Sequence, residues 1–262
     1  MSSFSNFIYL DTLVFKELVK NKGLVRPLFD FLRKEDLCIA VSQALWLELS
    51  PKKHTHQTID AVLTCLPSAV IKKPDQVLTE ESSSYPNMRK DTLLLSPLNA
   101  LMGKQIIQQK LSSVETANAR TELLQYSRLM SQRLNQLKPN FPPPYTLERA
   151  EVYAEYITIQ WLLMELPSFM KQFSGDISRL NTDVFKSIKV FAYYTYYKYY
   201  NQDKEDFGQS AFGDLFHLYC MPYCHLVIVE RDMCHILNQI KRRHRVLDGV
   251  RVKNIGFFDE LG

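Results

Sequence analysis

The run Leu226-Val-Ile-Val229 is apolar at every position and β-branched at three of four. A strand that offers no polar side chain to either face must be covered on both, as happens inside a parallel sheet sandwiched by helices. The run stops abruptly at Glu230, Arg231 and Asp232, so it releases carboxylates at its end. Open α/β sheets build their sites beyond the carboxyl ends of such strands. Asp214 to Met233 therefore reads as one unit, in which Asp214 caps a short helix, Pro222 ends that helix and a buried strand follows.

Related pieces occur near the amino terminus. Phe7-Ile-Tyr-Leu10 predicts a strand that ends at Asp11, and Leu13, Val14, Leu18 and Val19 have helical spacing after it. Leu37 to Val41 predicts a second strand, leading into a helix over Gln43 to Leu49 that carries Glu48. His56 to Leu66 predicts a further helix and Ala69 to Ile71 a third strand. Pro74 to Pro86 is polar and reads as an exposed connection, with Glu80 and Glu81 in solvent. The chain is then helical in character from Leu93 to Leu137, is interrupted by the proline-rich Lys138 to Tyr145, and resumes as one long helix over Leu147 to Lys171.

Phe185 to Tyr200 holds Tyr193, Tyr194, Tyr196, Tyr197, Tyr199 and Tyr200. They suit either a core helix with its hydroxyls at the rim or a platform for stacking bases. Cys234 to Arg243 predicts a helix whose basic end, Lys241 to Arg245, complements its dipole, and Val250 to Val252 a last edge strand. The order predicts an α/β fold: a central parallel sheet flanked by helices on both faces, with a large helical insertion. Residues 1–90 and 200–262 are expected to form the α/β core, with 91–199 packed on it as the insertion.

Composition sets the outer limits. With 262 residues, 46% of them hydrophobic, the chain has ample material for a core. Its formal charge of +4 permits a nucleic-acid partner without demanding one. The first residues lack the pattern of a signal peptide, and no run of about 18 apolar residues occurs, so the expectation is a cytoplasmic protein with no membrane association. Five cysteines without framework spacing suit reduced thiols. Eight glycines include no phosphate-binding loop, and there is no Gly-x-Ser-x-Gly elbow.

The acids at strand ends, or on helices facing them, are Asp11, Glu48, Asp214 and Asp232, with Glu230 in reserve. Carboxyl ends of neighbouring parallel strands lie about 5 Å apart, so Asp11 and Asp232 can meet if their strands pair. Crowded carboxylates repel unless a cation neutralises them, and hard oxygen ligands suit Mg²⁺ or Mn²⁺. Such a metal favours phosphodiester hydrolysis, polarising the phosphoryl oxygen and activating a water for in-line attack. Each acid also has a plainer role: Asp11 and Asp214 as helix caps, Asp232 as a turn residue, Glu48 as a solvated helix acid.

An Asp at the first strand end, Glu48 in Trp46-Leu-Glu-Leu49, Asp214 opening a later segment and Asp232 closing Val227-Ile-Val-Glu-Arg-Asp232 together resemble the PIN-domain family of metal-dependent nucleases. The resemblance covers residues 7–80 and 205–255. It implies a PIN-like three-layer fold, an endonuclease acting on nucleic acid, RNA above all, and a setting among toxin-antitoxin or phage-defence systems. It further implies Asp11, Asp214 and Asp232, with Glu230, as metal ligands and Glu48 as the residue orienting metal-bound water. Arg231, Lys241 and Arg242 are then candidates for holding the substrate backbone. Besides nucleic acid, a protein inhibitor or partner on the helical insertion and self-association are the partners left open. Where the family often has Thr or Ser two residues before the last acid, this chain has Glu230, and Arg231 beside it could bind phosphate or pair with an acid.

Two rival readings stand beside this one. A PIN-like fold without chemistry would serve as a binding or scaffold protein. His217, Cys220, Cys224, His225, Cys234 and His235 would otherwise offer ligands to a structural zinc.

Overall fold

The computed structural model describes residues 6–49, 56–87, 94–96, 114–201 and 215–261. Asp214 lies outside them. Five strands form one all-parallel sheet in the order β3-β2-β1-β4-β5: β1 Phe7–Leu10, β2 Cys38–Val41, β3 Ser68–Val70, β4 Leu226–Val229 and β5 Arg251–Asn254. The first three strands step outward in one direction, and β4 then pairs on the other side of β1.

Side-chain alternation along each strand divides the core in two. Ile8, Leu10, Ile39, Val41, Leu226 and Ile228 face one way. Against them pack α1 (Thr12–Lys20), through Val14, Phe15 and Leu18, α2 (Val25–Lys34), α3 (Gln43–Leu49) and α4 (His56–Cys65). Each such side chain removed from water contributes roughly 1.5–3 kcal/mol. Phe7, Tyr9, Cys38, Ala40, Val227 and Val229 face the other way. That side is covered by α5 (Pro74–Ser83), α6 (Val114–Leu137), α7 (Leu147–Glu165), α8 (Lys186–Thr195) and α9 (Arg231–Arg243). The helical middle of the chain thus supplies much of one face of the sandwich, and its side chains share a core cluster with the strands.

Several local expectations need correction. Pro74 to Ser83 is a helix: Pro74 sits at its first position, where the missing N–H costs nothing, and the Lys73 N–H donates to the Gln76 side chain (3.0 Å). Its polar composition conceals an apolar stripe, Val77 and Leu78, with Glu81 buried beside it. The Glu81 carboxylate accepts hydrogen bonds from the Ser187 N–H (2.8 Å) and hydroxyl (2.6 Å), near the amino end of α8, and from the Tyr223 hydroxyl. Glu80 pairs with Lys72 at 2.7 Å. The long helix from Leu147 ends at Glu165, because Pro167 follows and opens a separate turn, Pro167–Met170. Pro222 lies inside a 3₁₀ segment, Leu218–Tyr223, and does not end an α-helix.

The tyrosines after α8 continue it as a π-helix, Tyr196–Tyr200. These four, and Tyr193 and Tyr194 within α8, are all buried, so they belong to the core and offer no stacking platform. The open edge of β3 is partly closed by residues 94–96, with Lys72 N to Leu94 O at 2.7 Å and Ser96 N to Val70 O at 3.1 Å. Among the described residues no helix is long and apolar enough to cross a membrane.

Candidate functional site

The connections that follow β1 and β4 leave in opposite directions, α1 to one face and α9 to the other. Parallel sheets open a crevice at such a reversal, beyond the carboxyl ends of the two strands. Asp11 is the first residue past β1 there. Its N–H donates to Ile228 O at 3.0 Å, and since Leu10 pairs with Ile228, Asp11 stands across from Val229. One carboxylate oxygen of Asp11 accepts the Thr12 N–H at 2.6 Å, so the residue also caps α1.

Glu48, on the last turn of α3, meets His217 from the far end of the chain. His217 Nε2 donates to Glu48 Oε1 at 3.0 Å, and His217 Nδ1 is hydrogen-bonded to the Tyr9 hydroxyl. The Tyr9 oxygen in turn lies 3.4 Å from the Ser42 hydroxyl at the end of β2. His217 is 2% exposed and Glu48 36%. Burial alone would raise the Glu48 pKa. The hydrogen bond and charge of His217, helped by Thr12 and Lys16, outweigh it and bring the carboxyl down to about 2. The Thr12 hydroxyl is buried with no hydrogen bond of normal geometry, although it lies close enough to Glu48 to help hold it ionised. Glu48 therefore sits beside the Asp11–Thr12 turn as a fixed carboxylate. Burial drives the Tyr9 pKa far above its ordinary value, with smaller contributions from Cys220 and Asp11.

No family model, curated protein or solved structure matches the chain.

The remaining candidates fall in three places. Glu230 is the N-cap of α9, its carbonyl accepting Cys234 N–H at 2.9 Å; Arg231 and Asp232 are exposed in the first turn, where an acid favours the helix dipole. They share the carboxyl edge of the sheet with Asp11. Lys241 and Arg242 are not brought there: α9 starts at this edge and its 13 residues rise about 20 Å toward the opposite one. Lys241 Nζ donates to Val250 O (2.6 Å) and Arg242 Nε to Asn238 O (3.2 Å). Asp214, three residues before His217, lies outside the described residues. Among the described residues no three His, Cys, Asp or Glu side chains assemble to hold a metal. The zinc set accordingly disperses: His217 is engaged with Glu48 and Tyr9, His225 and His235 are exposed, and the Cys220 and Cys224 thiols donate to backbone oxygens of His217 and Cys220.

Tyr9, Ser42 and Lys16 do not stand out in the sequence, where His217 groups with the cysteines. Tyr9 looked like one more apolar strand residue, and its signal is a hydroxyl two positions before a strand-end acid. Beside this cluster opens a cavity of about 370 Å³, bounded by Gln43, Tyr126, Trp161, Phe191, Phe216 and Tyr219 among others. Gln43 and Phe216 are the chain neighbours of Ser42 and His217, so the cavity adjoins the Glu48 cluster.

Proposed function

We propose that the protein is a PIN-like, metal-dependent endonuclease that hydrolyses phosphodiester bonds in RNA. One observation carries the reading: Glu48 is held ionised beside the Asp11–Thr12 turn, in the crevice where the strand order reverses. The donor chemistry suits a hard cation. Mg²⁺ commonly takes only one or two protein carboxylates and keeps several waters, and Asp11 and Glu48 are two oxygen-donor side chains on one edge of the sheet. In this reading Asp11 and Asp214 would hold Mg²⁺ or Mn²⁺, with Asp232 and Glu230 reaching in from the start of α9, and Glu48 would orient a bound water. The metal would supply charge neutralisation at the phosphoryl oxygen and a more acidic water. Lys16, close enough to Glu48 to influence its charge, would face the incoming phosphate. The adjoining aromatic-lined cavity is of a size to receive a base.

The test is cleavage of labelled RNA and DNA with Mn²⁺ by the wild-type chain, Asp11→Asn and Asp214→Asn. RNA cleavage by the wild type, lowered more than about 100-fold in both variants, is expected. Equal activity in all three would sink the assignment, and absence of any Mn²⁺ uptake would leave a PIN-like binding protein.

A further inference from the structure

Both ring nitrogens of His217 are occupied, Nε2 by Glu48 at 3.0 Å and Nδ1 by the Tyr9 hydroxyl, and the ring is almost wholly buried. Neither nitrogen is left to take a substrate proton or bind a metal, so the side chain can act only through its partners. Its partners are placed unusually. Tyr9 precedes Asp11 by two residues, Glu48 is itself a candidate, and His217 follows Asp214 by three. We propose that His217 is a positioning residue, clamped by Tyr9, which holds one oxygen of Glu48 and ties together the segments bearing Asp11 and Glu48.

The molecule contains its own contrast. Glu151, His244 and Tyr197 form a second Glu–His–Tyr set, with His244 Nδ1 on Glu151 Oε1 at 2.6 Å and Nε2 on the Tyr197 hydroxyl at 2.9 Å. There the other Glu151 oxygen accepts the Tyr193 hydroxyl, so the carboxylate is consumed on both sides. That set joins α7 and α8 to the end of α9, at the opposite edge of the sheet from Asp11. It is a fastening. Glu48, by contrast, gives Oε1 to its histidine and has beside it the Thr12 hydroxyl and the Lys16 charge, next to Asp11. A carboxylate fixed by an outer partner in this manner is the usual arrangement around metal centres, where losing the partner costs about 10–100-fold in metal affinity or activity.

The inference rests on the reading of the crevice as a metal centre, and the experiment separates the two. Full-length wild type is compared with Tyr9→Phe, His217→Leu, His217→Gln and, as a control, His244→Leu. Mn²⁺ binding is followed by calorimetry, the Glu48 carboxyl by ¹³C NMR titration assigned with Glu48→Gln, and folding by Tm. Tyr9→Phe and His217→Leu should weaken Mn²⁺ binding about 10–100-fold. His217→Gln, whose amide reaches the Nε2 position, should recover part of it. His244→Leu should lower Tm and leave Mn²⁺ affinity unchanged. The Glu48 carboxyl, which His217 holds well below the ordinary carboxylate range, should climb in His217→Leu. If His217→Leu does not fold, Tyr9→Phe, which removes one oxygen atom, decides. Folded variants with wild-type Mn²⁺ affinity and an unmoved Glu48 titration overturn the proposal. Should the wild type bind no Mn²⁺, the metal reading fails and the titration alone judges the clamp: movement upholds it, none overturns it.

Discussion

Glu81 shows how far a single buried carboxyl can set the behaviour of the protein with pH. Burial pushes its pKa up to about 7, against the three hydrogen bonds from Ser187 and Tyr223 that favour its charge. The folded value lies above the unfolded one, near 4.5, so its contribution to stability is complete below about pH 4.5 and declines as pH rises through 7. Replacing it by Gln keeps an acceptor for the Ser187 N–H and Tyr223. Glu81→Gln is therefore expected to flatten the stability profile between pH 5 and 8 and to gain up to about 3 kcal/mol at the alkaline end, measured by urea unfolding across pH. A profile unchanged by the substitution would show that Glu81 titrates normally. At the crevice, Lys16→Ala is expected to raise the KM for RNA several-fold with little change in Tm, since Lys16 lies near Glu48 on a half-buried helix face.

Among the elements, the strands and the helices with plain apolar periodicity were legible in the sequence, because four-residue runs such as Leu226 to Val229 admit little else. α5 was not legible. Its core stripe is two apolar residues plus a buried Glu, and polarity in a sequence does not distinguish a solvated carboxylate from one satisfied by Ser187 and Tyr223. Asp11 could be picked out because an acid at a strand end is visible in one dimension, and Glu48 because it rides the helix that follows the second strand. His217 could not, because its partners come from positions 9 and 48. The other histidine set makes an element-scale forecast. His244→Leu leaves the buried Tyr197 hydroxyl without its partner and removes one of the two hydrogen bonds on the half-exposed Glu151 where α7, α8 and α9 meet, and should cost about 1–2 kcal/mol, seen as a fall in Tm of roughly 2–8 °C by calorimetry.

At the scale of the whole molecule, the helices from the middle of the chain act as one layer of the sandwich. Tyr153, Ala154, Ile157, Val190 and Tyr194 share their cluster with Phe7, Tyr9 and Val227. Joining residues 1–90 directly to 200–262 would leave only α5, α9 and the segment before β4 on that sheet face and bare the rest, and the shortened chain is expected to aggregate on expression, judged by its soluble fraction and light scattering. A soluble, monomeric product with a native-like spectrum would show instead that the α/β part stands alone.

The position of β1 between β2 and β4 carries a consequence for synthesis. Ile8 pairs with Leu226, so the middle strand waits on a partner made about two hundred residues later. At 5–20 residues per second that interval is on the order of ten to forty seconds. For that time the growing chain exposes an unpaired, wholly apolar strand edge of the kind that recruits other chains, and closing it late gives the fold a high contact order. The nascent protein is thus most in need of protection from its own kind just before the ribosome delivers Leu226 to Val229.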